Sequence, residues 1–216
     1  MYHMDFSEKL VINTKLDQLI ESTSNGVRIL SLENEGIEAG HETSIIEFKA
    51  GASRPQHLHP LGEEIFVLEG TFSDENGDYP SGTYIKNSPG SVHAPFSKDG
   101  CLLFVKSNQM DPKDTEHFII NTQKTPWRAG HRGLEVLPLH NFGTEGVALV
   151  KWPKGERFLQ HTHFGGEEIF VLSGEFIDEH GRYPKGTWIR SPHLSSHFPY
   201  VEEETIIFVK TGHLIK

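Results

Sequence analysis

One cysteine in 216 residues, Cys101, leaves no partner for an intrachain disulfide and no set of thiolates for a cysteine-ligated zinc module. No apolar run approaches the length that spans a bilayer, and Asp5, Glu8 and Lys9 interrupt the N-terminal stretch before an apolar signal core can form. Basic residues are also scarce, with 20 Lys and Arg against 30 Asp and Glu and a formal charge of -10. The clustered cationic surface that a polyanion needs is missing. These shortages exclude nucleic-acid and membrane partners, and they predict a soluble chain of the reducing cytoplasm that works on small molecules. Helical periodicity is nearly absent too. The stretch "TKLDQLIES" at 14–22, with Leu16, Leu19 and Ile20 on one face, is the one helix the pattern suggests.

What the chain has instead is the same text twice. Sliding it along itself by 104 positions aligns residues 51–106 with 155–210 without a gap, with about half the positions identical. "HLHPLGEEIFVLEG" at 57–70 returns as "HTHFGGEEIFVLSG" at 161–174, and "VINT" at 11–14 is echoed by "IINT" at 119–122. A boundary near Asp111-Pro112 gives two domains, 1–112 and 113–216. Within each, the apolar runs are short, rich in Val, Ile, Phe, Tyr and Thr, and separated by Gly, Pro, Asn and Asp. "SIIEFKA", "EIFVLEG", "TYIKN" and "CLLFVK" read as strands, and Asn76-Gly77 reads as a type I′ hairpin turn. The pattern predicts an all-β protein of two tandem antiparallel barrels or jelly rolls, each wide enough to hold a small ligand.

Alternation along a strand puts His57 and His59 on one face, and Glu63 shares their parity whereas Glu64 does not. His93, on a later strand, completes three imidazoles and a carboxylate. His161, His163, Glu167 and His197 repeat all four at the same offset. A lone His-x-His on a strand is ordinarily an exposed or hydrogen-bonded pair. A quartet kept intact in both copies is not, because drift after duplication scrambles residues that only decorate a surface. The quartets therefore point to two mononuclear metal sites.

The residues resemble the cupin superfamily. Its first motif, Gly-x5-His-x-His-x3-4-Glu-x6-Gly, is met by Gly51, His57, His59, Glu63 and Gly70, and again by Gly155, His161, His163, Glu167 and Gly174. Its second motif is met in part. Gly82, Gly90 and His93 fit in the first copy, with proline displaced to Pro89 and Ser97 in place of asparagine. Gly186, Pro192 and His197 fit in the second, where Leu194 replaces the glycine and Val201 the asparagine. A leucine there predicts a different local backbone. More narrowly, "HPLGEEIFVLEGTFSDENGDYPSGTYIKNSPGSVHAPFS" resembles the zinc-binding cupin domain of ChrR-type anti-sigma factors. In those proteins the cupin follows a helical domain with a His-x-x-x-Cys-x-x-Cys zinc motif. This sequence has no such motif and no room for one ahead of residue 25, so a sigma-factor partner is not supported by its residues.

Three neutral imidazoles and one carboxylate suit a divalent ion, zinc first, with iron, manganese or nickel as the other choices. A tetrahedral ion would be closed by four protein ligands, and the site would be regulatory or structural, as the ChrR resemblance implies. An octahedral Fe(II) would keep two positions for dioxygen and a chelating diketone or aromatic ketone, as in cupin dioxygenases. A third possibility is a ligand-binding bicupin whose ion orients a sugar or other small molecule. Among the remaining residues, His193 is a candidate to line the second pocket. The matched pairs Tyr84/Trp188, Phe72/Phe176 and Phe96/Tyr200 read as core, Glu64 and Glu168 as solvent-facing, and Cys101 as a small buried filler. The unpaired edges of two open barrels leave room for a homodimer.

Overall fold

The computed structural model describes residues 1–37 and 39–215. It is built almost wholly of antiparallel strands, and no described helix is long and apolar enough to cross a membrane. In the first unit the main sheet runs in the order Phe118–Asn121, Thr83–Asn87, Glu63–Asp74, Cys101–Ser107, Glu42–Phe48, Val27–Asn34, Ile20–Glu21. The far half of the long strand Glu63–Asp74 leaves this sheet to pair with Gly77–Pro80, and His57–His59 pairs with Ser91–His93. The second unit repeats the plan: Leu10–Asn13, Thr187–Ser191, Glu167–Ser173, Thr205–Thr211, Glu145–Trp152, Glu135–Phe142, Arg128–Ala129. Its short pairs are Glu175–Asp178 with Gly181–Pro184 and His161–Thr162 with Ser196–His197.

The two repeats and the two compact units do not coincide. The repeat divides at 112/113, whereas the units are Met1–Met4 with Lys15–Thr125, and Asp5–Thr14 with Pro126–Lys216. Two short strands account for the difference. Leu10–Asn13 is the edge strand of the second unit, in register with Thr187–Arg190, and Phe118–Asn121 is the edge strand of the first, in register with Thr83–Lys86. The echo between "VINT" and "IINT" is thus an echo of role, each segment closing an edge in the unit that the other repeat builds. An edge strand needs only one neighbour, so this exchange leaves every ladder hydrogen bond of the inner strands in place.

Each unit has its own apolar centre. In the first, Val27, Phe48, Ile65, Val67, Phe72, Ile85, Leu103 and Val105 pack together with Cys101. In the second, Trp152, Ile169, Val171, Phe176, Tyr183, Ile189 and Ile207 do so. Cys101 is a buried filler as its sequence setting suggests, and burial holds its thiol up at about 11, which keeps it unreactive. Tyr84, Trp188, Phe72 and Phe176 are core residues, but Phe96 is 39% exposed.

Three local expectations are corrected. The stretch 14–22 forms only a single 3-10 turn, Leu16–Gln18, followed by the strand Ile20–Glu21, with Leu16 and Ile20 exposed. Nine residues are too few for a helix to stand without a packed face. The hairpin turn lies at Glu75-Asn76, not Asn76-Gly77, because Asp74 pairs with Gly77. Neither Asn76 nor Gly77 has positive φ. The turn is held by the Asp74 carboxylate, which accepts the Asn76 N–H at 2.7 Å, and by its counterpart Asp178, which accepts from His180 at 2.8 Å and Gly181 at 3.0 Å. Finally, Glu64 and Glu168 are buried. Tyr84 donates its hydroxyl to Glu64 at 2.7 Å, and Glu168 pairs with His213 at 3.0 Å. Their parity away from the histidines is right, but that face of the sheet is covered as well. Lys86, in register with Glu64, is fully buried, and its ammonium donates to the Asp114 carboxylate at 2.8 Å and the Glu116 carbonyl at 2.7 Å.

Candidate metal centres

The antiparallel pairing of His57–His59 with Ser91–His93 sets His57 directly opposite His93, and alternation brings His59 to the same side. The turn at Pro60–Gly62, with Gly62 at φ +73°, then returns the chain so that Glu63 opens the long strand beneath them. The ring centroids of His57, His59 and His93 lie 4.7 to 5.0 Å apart, and those of His161, His163 and His197 lie 4.7 to 4.9 Å apart. Nε2 of His59 and of His93 converge to 3.1 Å, and Nε2 of His163 and of His197 to 3.0 Å. Two imidazole nitrogens aimed at one point, with a third ring beside them, could hold a metal ion in each unit. Glu63 Oε2 stands 3.5 Å from both His59 and His93, and Glu167 Oε2 stands 3.5 Å from His163 and 3.6 Å from His197.

The donor set fits an ion in its chemistry as well as its geometry. The Nδ1–H of His57 donates to the Pro55 carbonyl at 2.8 Å, and that of His161 to the Leu159 carbonyl at 3.1 Å, which leaves Nε2 as the lone pair facing inward. Burial disfavours the charged forms of His59 and His163, holding them down at about 4 and about 3, so both imidazoles are neutral at physiological pH. Glu167 Oε2 is buried with no hydrogen-bond partner, and burial pushes its carboxyl up to about 7. Glu63 is better supported, since Asn87 donates to its Oε2 at 3.3 Å and Ser107 to its Oε1 at 3.4 Å. Serine and threonine stand at the matching positions 191 and 211 of the second unit.

Sequence reasoning missed Asp74 and Asp178. Asp74 Oδ2 lies 3.7 Å from His93 Nδ1 and Asp178 Oδ2 lies 3.9 Å from His197 Nδ1, longer than hydrogen bonds but close enough to orient each ring. Each carboxylate is fixed in turn by a tyrosine hydroxyl, Tyr79 at 2.9 Å and Tyr183 at 2.8 Å, and Asp178 also accepts from Lys9 at 3.0 Å. Burial works against the cation of His93, yet Asp74, Glu63 and Glu75 together hold it above its usual range. The signal that marks the aspartates is the one that marked the histidines, survival of both Asp and Tyr at the offset of 104. Replacing Asp74 by Asn, which keeps the shape and removes the charge, is expected to weaken metal affinity at the first site about 10- to 100-fold. Asp178→Asn is expected to do the same at the second. Competition against a chromophoric chelator measures both, and an unchanged affinity would reduce the aspartates to turn-formers.

The second motif departs from expectation at Leu194. Its backbone keeps the left-handed conformation of Gly90, φ +62° against +80°, so the turn is preserved and the leucine bears strain of about 1 kcal/mol. His193 is exposed, and its Nδ1 accepts the Gly165 N–H at 3.0 Å, which braces the turn ahead of Glu167.

The surroundings of the two centres differ. In the first, a cavity of about 690 Å³ opens onto His57, His59 and Glu63, with Arg54, Ser44 and Asn108 also in its wall. In the second, the position matching Arg54 is Phe158 and that matching Phe48 is Trp152. These two rings pack 4.7 Å apart, with Phe158 also 6.1 Å from His161.

A family model described as the ChrR cupin-like domain matches residues 7–111 and again 115–215. No curated protein sequence matches the chain. Among solved structures, a cupin 2 conserved barrel domain protein from Leptotrichia buccalis is similar with a TM-score of 0.66 at 14% identity, over 98% of this chain and 99% of that one. Salicylate 1,2-dioxygenase from Pseudoaminobacter salicylatoxidans gives 0.70 at 12% identity, over 100% and 84%. A bacterial pirin from Escherichia coli in complex with nickel(II) gives 0.67 at 12%, over 94% and 98%. At these identities the likeness is one of fold.

Proposed function

The chain belongs, in both its halves, to the ChrR cupin-like family, and from that membership we propose a metal-dependent protein whose first site works on a small molecule while its second holds an ion for structure. The observation that carries this reading is the cavity of about 690 Å³ against His57, His59 and Glu63, within the range of small-molecule sites. His57, His59, His93 and Glu63 would hold the first ion, and His161, His163, His197 and Glu167 the second. Iron(II) bound at the first centre would supply dioxygen activation toward a chelating diketone or aromatic ketone. The chain's own part is to present neutral imidazoles, to fix Glu63 through Asn87 and Ser107, and to leave room beside His57 for the substrate. At the second centre the packing of Phe158 on Trp152 and His161 favours four protein ligands and zinc.

A second reading, a regulatory zinc module of the ChrR kind, is favoured by the close agreement of the two imidazole triads. The two readings separate on protein purified without a nickel column. Metal content by plasma mass spectrometry is read together with oxygen uptake on acetylacetone and hydroxyacetophenone. On the first reading oxygen uptake is abolished by His57→Ala and survives His161→Ala. Two zinc ions per chain with no uptake by the iron-loaded protein would overturn it in favour of the regulatory module.

A further inference from the structure

We infer that the first site takes a small carboxylic acid, whose carboxylate is held by the guanidinium of Arg54. The inference rests on the reading of the first site as the working one and names its ligand. Arg54 lies three residues ahead of His57, and its backbone N–H donates to the Pro95 carbonyl at 2.9 Å, which ties it to the segment just after His93. Its side chain lines the cavity that opens onto His57, His59 and Glu63, and also a narrow inner recess shared by His57, Glu63, His93 and Phe72. Among the described residues it is the one Lys or Arg in either wall. It makes no side-chain hydrogen bond or ion pair with any of them.

A half-buried guanidinium facing a cavity, with no partner among the described residues, is costly unless something anionic arrives. Its planar fork of N–H donors matches a carboxylate with two parallel hydrogen bonds. Among the described residues the other carboxylate in the wall besides Glu63 is Glu42, which already accepts the Ser31 hydroxyl at 2.9 Å. The chain as a whole carries a formal charge of -10 and repels acids, so a local cation is what would make an acid acceptable at this site. The second unit has no arginine at the matching position. Phe158 stands at the matching position and is spent on Trp152 and His161, and the polar Glu42, Ser44 and Asn108 of the first cavity are matched by Gly146, Ala148 and Gly212.

The test is calorimetric titration of the purified, metal-bearing chain with benzoylformate and with the neutral diketone in which an acetyl group replaces its carboxylate. The acid is expected to bind tighter by about tenfold or more. Arg54→Gln is expected to erase that margin with metal content and melting temperature unchanged, Arg54→Lys to keep part of it, and Phe158→Ala to leave it intact. Equal affinity for the two compounds, or a margin that survives Arg54→Gln, overturns the assignment of Arg54 while leaving the first site as a ligand site. If the metal-bearing chain binds neither compound, the reading of the first site as the working one falls as well.

Discussion

Loading the chain with zinc is expected to raise its unfolding free energy by about 4 kcal/mol per site at a thousandfold excess of free ion over Kd, because the ion binds the assembled quartet and not the unfolded chain. His59→Ala with His163→Ala, which removes one of the two converging nitrogens in each unit, is expected to abolish the gain. Thermal melting with and without a chelator measures it, and a shift that survives the double replacement would remove the quartets from the account. The gain should also depend on pH, with a sign the side chains dictate. An ion needs deprotonated ligands, and Glu167 is held up at about 7 by burial. Below pH 7 the ion must displace a proton there, so stabilisation by the second site should shrink by about 1.4 kcal/mol per pH unit. At the first site the displaced proton comes from His93, held above its usual range against its burial by Asp74 and Glu63. His59 and His163 do not compete until about pH 4 and about pH 3. In the ion-free chain these last two act on folding itself. The unfolded imidazoles take up protons below about 6.5 while the folded ones do not. Stability is therefore lost as pH falls from there toward the folded values.

Gly70→Ala should be among the most damaging single substitutions in the first unit, at roughly 3–5 kcal/mol. Gly70 has φ +72°, and a Cβ there would meet the Gly100 carbonyl oxygen at 2.1 Å and Cys101 Cα at 2.9 Å. Both are backbone atoms that cannot swing aside. Gly174 repeats the situation at φ +72°, 2.4 Å from the Glu204 carbonyl oxygen. Gly51, at φ +78° with nothing within 4 Å, is the control, and Gly51→Ala should cost only about 1 kcal/mol for its left-handed backbone. Urea denaturation of the two variants compares them, and equal losses would mean that dihedral preference alone accounts for Gly70. The position bears on the metal centre because the strand Glu63–Asp74 carries Glu63 at one end and Asp74 at the other. A bulge at Leu68, just before Gly70, lets it leave one sheet for another.

Much of the candidate site was legible in advance, since its determinants are local. Parity along an extended chain places His57, His59 and Glu63 together, and a duplication that retained all four residues excludes chance decoration. Parity was equally right for Glu64, yet its burial was missed, because the covering of the outer sheet face is made by residues distant in sequence, such as Lys86 with Asp114. The turn at Glu75-Asn76 was missed because the Asp74 side chain, and not a left-handed backbone, organises it.

By itself the sequence determined the all-β class, the twofold plan and the two histidine–glutamate quartets, all of which follow from short-range periodicity and an internal repeat. Only the tertiary structure decided that Leu10–Asn13 and Phe118–Asn121 exchange edges, that Asp74 and Asp178 stand behind His93 and His197, and that Arg54 faces a cavity where Phe158 packs on aromatic rings. The physical reason is the same in each case: an edge strand's neighbour, a carboxylate's distance from a ring and the emptiness of a cavity depend on contacts between residues far apart in the chain, which no spacing along it encodes.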